Sequence, residues 1–419
     1  MELTRLPWFS RLHAFGRLWR GFDGWLLALA AALLGTGVLT IFSTRPDGNE
    51  WKSQLLSGLL GVLWAFVLSR IPYGWLLRWR WLIYGTASLL LLAVLFGGNS
   101  IKGSQRWIEL GIIQFQPSEF AKLAVIVTLA GLLHHRPIRA FHHIGGVLGV
   151  LALPFLLVFK QPDLGTALVF GAICLGMLFW GGARLSWLIL LVSPLFSAIL
   201  YALWIPAWIG WVVAMAITAF RSLSWRWWAG VVVLAVNLIA GQLGQVFWHL
   251  LKPYQQQRLV VFLDPSGDPL GSGYHIIQSE IAIGAGGLFG RGFFQGSQTQ
   301  LNFIPEQHTD FIFSALGEEW GFLGALVLLG LFFALFCRLL VIANTADDDF
   351  GALLAIGVFT MLLFQTIVNI GMTIGLAPVT GIPLPFVTFG RSFLLTCFTA
   401  LGIVESVATH RSNKLVFPS

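Results

Sequence analysis

Residues 24–43 read GWLLALAAALLGTGVLTIFS, a run of 20 residues without a charged side chain. A helix of about 20 apolar residues is long enough to cross the hydrocarbon core of a bilayer. The whole chain shares this character, because 57% of its 419 residues are hydrophobic and only 10% are charged. A soluble domain carries roughly 25% charged residues, so the composition excludes a water-soluble fold.

Similar apolar runs recur along the chain and predict an all-α integral membrane protein, a polytopic bundle of about twelve transmembrane helices. The predicted spans are 24–43, 53–69, 81–98, 119–134, 144–159, 164–180, 186–204, 207–220, 227–251, 311–340, 350–376 and 392–408. The predicted regions are therefore a cytoplasmic segment 1–23, nine spans within 24–251, a large extracytoplasmic loop 252–310, three spans within 311–408, and a cytoplasmic tail 409–419.

The basic residues favour one orientation of this bundle. With the N-terminus inside, most Arg residues fall on the cytoplasmic side, as the positive-inside rule requires. The net charge of +7 is then explained by topology and by anionic membrane lipids, and it indicates no nucleic-acid partner. The sequence thus predicts a multi-pass protein with both termini in the cytoplasm.

Three outside stretches are candidates for chemistry, namely 99–118, 252–310 and 377–391. The second is too apolar for a segment bathed in water, since it contains Ile276, Ile277, Ile281 and Leu288. Irregular backbone at membrane depth survives where it is buried in protein or lines a wet cavity. We therefore expect this loop to be partly re-entrant and to border a cavity that suits an amphiphilic substrate.

Ionisable groups inside apolar runs are expensive and often functional. Lys122 and Asp163 both lie near the predicted outer surface, where they could pair as a structural ion pair between helices, or Lys122 could face a substrate diphosphate. Glu318 and Glu319 enter the tenth span as buried contacts or as a pocket wall. Nucleotide motifs and His/Cys metal clusters are not evident, so the energy source would be an ion gradient or an activated substrate.

Five blocks of the outside loops resemble one known family. They are GSQRWIELGIIQFQPSEFAKLA, KQPDLGTAL, DPLGSGYHIIQSEIAIGAGGLFGRG, GSQTQLNFIPEQHTDFIFSALGEEWGF and PVTGIPLPFVTFG. Together they resemble the SEDS family (shape, elongation, division and sporulation), and its RodA elongation branch more than its FtsW division branch. The resemblance covers residues 24–407.

The resemblance implies a peptidoglycan glycosyltransferase for cell elongation and rod shape in the bacterial cytoplasmic membrane. Such an enzyme polymerises lipid II, releases undecaprenyl diphosphate and works with a class B penicillin-binding protein and the elongation machinery. It also implies that Asp268 is the essential carboxylate, with Asp264 ranked second, and that Lys122 and Asp163 form the family's ion pair. The sequence departs from the family in two places. Residues 186–251 hold three predicted spans where relatives show one, which indicates a two-helix insertion. In the proline-rich stretch and just after it, Arg391 and Phe393 replace small residues.

On this reading, Asp268 is the candidate general base, because a carboxylate can take the proton of an acceptor hydroxyl. The leaving diphosphate requires positive charge, for which the candidates are Arg258 and Arg106, then Lys122, Lys102, Arg291 and Arg391. Candidates for hydrogen bonds to substrate, or to buried loop backbone, are Gln278, Ser279, His308 and Thr309. A divalent cation, magnesium or manganese, could share this work with Asp264 or Glu306 as ligand.

Two other functions remain compatible with the sequence. A lipid II flippase would also use twelve helices and a polar cavity, but it needs polar groups along the whole path, and the cytoplasmic halves of these spans show few. A non-catalytic scaffold for the penicillin-binding protein would depend on lipid-facing surfaces and would tolerate changes in the pocket.

Overall fold

The structure is a computed structural model. It describes residues 21–411 except residues 98, 102, 103, 111, 112, 270, 272, 302, 304 and 305. Twelve long helices correspond to the twelve predicted spans. They are α1 (Gly24–Thr44), α2 (Glu50–Ser69), α3 (Gly74–Gly97), α4 (Pro117–His135), α5 (Ile144–Lys160), α6 (Leu164–Trp180), α7 (Leu185–Leu203), α8 (Ile205–Ser222), α9 (Arg226–Leu250), and, after the large loop, α13 (Ile312–Asn344), α14 (Asp349–Thr373) and α15 (Arg391–Thr409).

By length and composition, eleven of these helices can cross a membrane, and α6, with 17 residues, is the shorter apolar helix among them. Aspartates begin several of them, because a carboxylate accepts a hydrogen bond from a free backbone N–H of the first turn. Asp163 accepts from Thr166 N at 3.1 Å to start α6. Asp348 accepts from Gly351 N at 2.9 Å to start α14. The all-α membrane fold is confirmed.

The centre of the bundle is formed by α4, α14 and α15. In the most apolar window of α4 and of α15, 83% of residues are buried within the protein, against 17–28% for α7, α8 and α9. A helix that is apolar all round and also buried all round belongs to the protein core, whereas the other three present most of their surface to lipid. The core of the bundle is therefore formed by α4, α14 and α15, and α7, α8 and α9 lie outside it.

The helices α7, α8 and α9 pack mainly on one another and form a peripheral unit at the edge of the bundle. Buried polar side chains join them. Asn237 donates to Ser193 Oγ at 3.1 Å, and Trp208 donates from Nε1 to Ser197 Oγ at 2.8 Å. Ser197 in turn donates to the backbone oxygen of Asn237 at 2.7 Å. These bonds satisfy polar groups that lipid could not.

The stretches that the sequence predicts to be extracytoplasmic are more ordered than expected. Residues 99–115 form three short antiparallel strands, β1 (Asn99–Ile101), β2 (Ser104–Leu110) and β3 (Ile113–Phe115), in the order β1-β2-β3. The large loop contains three helices, α10 (Pro253–Leu263), α11 (Tyr274–Gly286) and α12 (Ser297–Gln300). The strands went unpredicted because 99–118 lacks a long alternation of apolar and polar residues.

Helix α13 is broken where the large loop meets it. Gly321 adopts φ +67°, a conformation that favours glycine, and the helix changes direction there. The break frees backbone groups, and the loop satisfies them: Phe322 N donates to Gly287 O at 2.9 Å, and Arg291 N donates to Glu318 O at 3.0 Å. These hydrogen bonds hold the loop against the break in α13, and its re-entrant position in the membrane stays a prediction.

Candidate active site

The turn between α10 and α11 carries both candidate carboxylates. Asp264 ends α10, and its Oδ1 accepts from the backbone N–H of Ser266 at 3.1 Å and from the Ser266 hydroxyl at 2.5 Å. A carboxylate used in this way stabilises a turn. Asp268 instead contributes its backbone oxygen, which accepts from Gly271 N at 3.3 Å and Gly273 N at 3.0 Å. The backbone of Asp268 therefore helps to close the turn.

The carboxylate of Asp268 packs directly over Gly271. A methyl group on Gly271 would lie 2.5 Å from Asp268 Oδ1 and 2.6 Å from its Cγ, where ordinary contacts begin at 3.4 Å. Gly271 is exposed and Asp268 is half-buried, so the carboxylate lies at the surface of the turn with one side covered. The carboxylate can therefore lie this close to the backbone only because residue 271 has no side chain, and it stays partly accessible.

Helix α10 is anchored by its first turn and presents Arg258. The Tyr254 hydroxyl donates to Pro162 O at 2.8 Å, in the turn that precedes α6. The guanidinium of Arg258 lies 5.7 Å from the centre of the Tyr254 ring, within cation–π range. Arg258 is exposed, so its donors are accessible to an anionic ligand.

Arg258 also lies near the end of its own loop and near the proline-rich stretch. A Cβ on Gly381 would lie 3.9 Å from a terminal nitrogen of Arg258 and 3.5 Å from Asp310 Oδ2. Gly381 belongs to the proline-rich stretch 377–391, and Asp310 ends the large loop. The structure thus brings together three segments that are more than 40 residues apart in sequence. Asp310 is a residue that sequence reasoning missed, although a charged residue directly before an apolar span was a usable signal.

The proline-rich stretch is tied down by buried polar side chains. Gln54 of α2 donates to Thr388 O at 3.0 Å and accepts from Gly390 N at 3.3 Å. Asn369 of α14 donates to Ile382 O at 2.8 Å and to Asp310 O at 3.1 Å. Both side chains are fully buried. They give irregular backbone the partners it needs at this depth.

Ser279 requires a correction, because the structure removes it from the substrate candidates. It is fully buried, and its hydroxyl is shared with Ser314 Oγ at 2.5 Å and donates to Thr373 O at 2.6 Å. A side chain so enclosed joins α11 to α13 and α14 and does not reach a ligand. Its neighbour Gln278 is half-buried and stays a candidate.

Lys122 is also enclosed, which corrects its assignment to the diphosphate. Its side chain is 2% exposed, and Nζ lies 2.7 Å from Glu119 Oε2. The ring of Phe393 covers it at 5.6 Å. Asp163 caps α6 as described above, and a pair between Lys122 and Asp163 stays a prediction. The sequence signal for the Glu119 partner was the i,i+3 spacing, which places both side chains on one helix face.

Glu318 and Glu319 lie at the break of α13 and have different surroundings. Glu318 accepts from Gln298 N and Thr299 N, each at 2.8 Å, and so caps the short helix α12. Glu319 accepts a hydrogen bond from the Ser43 hydroxyl of α1. It also lines a cavity of about 340 Å³ with Leu39, Phe293 and Trp320. Glu318 is therefore a buried contact, and Glu319 is both a contact and a cavity wall.

The remaining described candidates lie in the large loop and at the start of α15. Glu306 is exposed, with φ +54°, and its carboxylate accepts from the Thr309 hydroxyl at 3.2 Å. His308 is 8% exposed, and its backbone oxygen accepts from Phe389 N at 3.1 Å. Arg291 braces the loop through Ser297 Oγ at 2.7 Å, and Arg391 is exposed at the start of α15. Lys102 and the side chain of Arg106 lie outside the described residues.

A divalent cation would need several oxygen ligands from this set. In the part of the chain that the structure describes, no three His, Cys, Asp or Glu side chains form a group that could hold a metal ion. Asp264 and Glu306 are both committed to local turn hydrogen bonds. Among the described residues, Asp264 and Glu306 therefore do not belong to such a group.

The sequence of this chain is similar to known proteins over nearly its whole length. A profile of the cell cycle protein family of FtsW, RodA and SpoVE matches residues 25–216 and 207–413. The peptidoglycan glycosyltransferase MrdB of Escherichia coli K12 is 37% identical over 391 residues, covering 93% of this chain and 94% of that protein.

Two solved structures are similar over nearly the whole chain. One is described as the structural coordination of polymerization and crosslinking by a peptidoglycan synthase complex. A chain of that structure is 32% identical to this one, with a TM-score of 0.70, and the match covers 94% of this chain and 99% of that chain. The rod shape determining protein RodA of Thermus thermophilus is 28% identical with a TM-score of 0.61, covering 93% and 97%.

Proposed function

Since the chain belongs to the cell cycle protein family of FtsW, RodA and SpoVE, we propose that it polymerises lipid II into glycan strands at the outer face of the bacterial cytoplasmic membrane. It is a peptidoglycan glycosyltransferase embedded in the membrane by its apolar helices. The observation that carries the mechanism is the Asp268 carboxylate, held accessible over Gly271 on the same loop that presents Arg258.

Asp268 is the proposed general base. Transfer requires that the acceptor hydroxyl lose its proton as its oxygen forms a bond to the anomeric carbon of the donor sugar. A positioned carboxylate can accept that proton and typically contributes 10²–10⁴-fold to such a step. Asp268 is preferred to Asp264 because it matches the essential carboxylate that the family resemblance implies. The Oδ1 atom of Asp264 accepts two hydrogen bonds within its own turn.

Arg258 is the proposed group that stabilises the leaving diphosphate. The bond between the anomeric carbon and the diphosphate oxygen breaks, and the electron pair stays on undecaprenyl diphosphate. A preorganised cation lowers the energy of that developing charge. Tyr254 holds the guanidinium from one side, and the anchoring of Tyr254 to Pro162 limits its movement.

The proposed topology and partners follow from the same reading. The large loop faces outside and both termini face the cytoplasm, so that Asp268 meets lipid II in the outer leaflet. A class B penicillin-binding protein cross-links the product within the elongation machinery. The structural likeness to a chain of a peptidoglycan synthase complex supports a partner of this kind.

An in vitro polymerisation assay tests the proposal. Purified protein supplied with lipid II and its penicillin-binding partner should produce glycan polymer on a gel. Asp268→Asn should remove the product, because an amide is not a base, while the yield and thermal midpoint of the purified protein stay unchanged. Asp264→Asn is the matched control, and it should retain activity.

The same assay separates the alternatives. A flippase would move fluorescent lipid II across vesicles without making polymer, and a scaffold would tolerate Asp268→Asn. Full polymerising activity in Asp268→Asn would remove Asp268 from the base role.

A further inference from the structure

We propose that Asn369 is a positioning residue for the site: its side chain sets the Asp310 carboxylate beside the Arg258 guanidinium across Gly381. The inference rests on the proposed function, because Arg258 is taken to bind the diphosphate of the substrate. Asn369 itself lies inside α14 and touches no reacting atom.

The geometry of the Asn369 amide is specific. Its Nδ2 donates to two backbone oxygens, Asp310 O at 3.1 Å and Ile382 O at 2.8 Å. Both partners accept only, so the amide nitrogen must face them. Asn369 is fully buried, and its Oδ1 makes no hydrogen bond. The side chain therefore acts through its two N–H donors, and each donor binds the backbone of a different loop.

The two loops meet at one point above Gly381. Asp310 is the residue whose backbone Asn369 binds, and Gly381 precedes the other partner, Ile382. A Cβ at Gly381 would lie within 4 Å of both Asp310 Oδ2 and a terminal nitrogen of Arg258. Gly381 has φ +72°, which favours glycine, so this position keeps open space between a carboxylate and a guanidinium.

A neighbouring carboxylate has a defined effect on an exposed arginine. It restricts the orientations of the guanidinium, whose donors form a planar fork, and so directs the remaining donors. Tyr254 limits the guanidinium from a second side. If the Asn369 amide is lost, the loops can move apart, and a displacement of 1 Å at a site can cost about 10²-fold in rate.

Asn237 offers a matched control. It is also a fully buried asparagine within an apolar helix, and it donates to Ser193 Oγ and Val233 O. It lies in the peripheral unit of α7, α8 and α9. Asn369→Ala and Asn237→Ala thus remove the same number of buried donor bonds, but only the first touches the site loops.

The test is a double-mutant cycle on lipid II polymerisation, using the full chain with its penicillin-binding partner. Asn369→Ala should lower kcat/KM by about 10–100-fold, and Asn237→Ala should leave it near the wild-type value even if both lower the thermal midpoint equally. In an Arg258→Ala background the further loss from Asn369→Ala should nearly vanish, because the residue acts through Arg258.

Each outcome has one meaning. Equal losses of kcat/KM in the two Ala variants, or a loss from Asn369→Ala that persists undiminished without Arg258, would overturn the positioning role while leaving the enzyme assignment intact. A wild-type protein that makes no polymer, with its partner present, would overturn the proposed function and this inference with it.

Discussion

Replacing Gly271 with alanine should inactivate the enzyme without unfolding it. The added methyl would lie 2.5 Å from Asp268 Oδ1, and ordinary contact begins at 3.4 Å, so the carboxylate must move by about 1 Å. Misplacement of a reacting group by that distance costs about 10²-fold in rate. Gly271 is exposed and does not adopt a left-handed conformation, so the backbone itself tolerates alanine.

Gly267 provides the matched control on the same turn. A methyl there would lie 3.1 Å from Asp264 Oδ2, the outer end of the other carboxylate. We expect Gly267→Ala to retain most of the polymerising activity. The two variants therefore distinguish the two carboxylates without altering either one.

The measurement is the initial rate of glycan polymer formation from lipid II, compared at equal amounts of folded protein. The thermal midpoint of each purified variant verifies folding. A Gly271→Ala protein with wild-type activity would refute the argument that Asp268 must stay where the turn holds it. Loss of activity in Gly267→Ala instead would transfer the base role to Asp264.

Two further predictions concern stability. Lys122→Met leaves the buried Glu119 carboxylate without its partner and should destabilise the protein by about 3–5 kcal/mol. Denaturant unfolding in detergent measures this loss, and adding Glu119→Gln should recover most of it. A double variant as unstable as the single variant would contradict the pairing. Gly321→Ala should sharply reduce the yield of monodisperse protein, because φ at Gly321 is +67° and the added methyl would lie 2.7 Å from Phe289 C. The control is Gly330→Ala in the same helix. Its methyl would meet nothing within 4 Å, so this variant should purify like wild type.

Much of the fold could be predicted because the membrane simplifies the physics. A backbone in hydrocarbon must satisfy its own hydrogen bonds, so a long apolar run has to be helical. The sixth and seventh predicted spans, 164–180 and 186–204, match Leu164–Trp180 and Leu185–Leu203 almost to the residue. The strands in residues 99–115 escaped prediction, because their pairing depends on contacts that no local pattern records.

Site residues were predicted less evenly. Asp268 lies in the large loop, as the motif predicts, and Arg258 lies on a helix of that loop that the sequence did not predict. Their roles stay predictions. For Ser279 and Lys122 the sequence left open a substrate contact or a structural contact, and their burial favours the structural one. Polarity in a membrane protein marks a group that needs a partner, and only the packed structure tells whether that partner is a ligand, a neighbouring helix or a residue on the same helix.

The sequence by itself determined the twelve long apolar helices, the membrane environment, the family and the identity of the candidate acid, because each follows from local hydropathy or from motifs read in order. The tertiary structure alone decided that Asp310, Arg258 and Gly381 meet at one point and that Asn369 holds two of their loops. These contacts join segments far apart along the chain. Their geometry depends on how the helices pack, and no single segment encodes that packing.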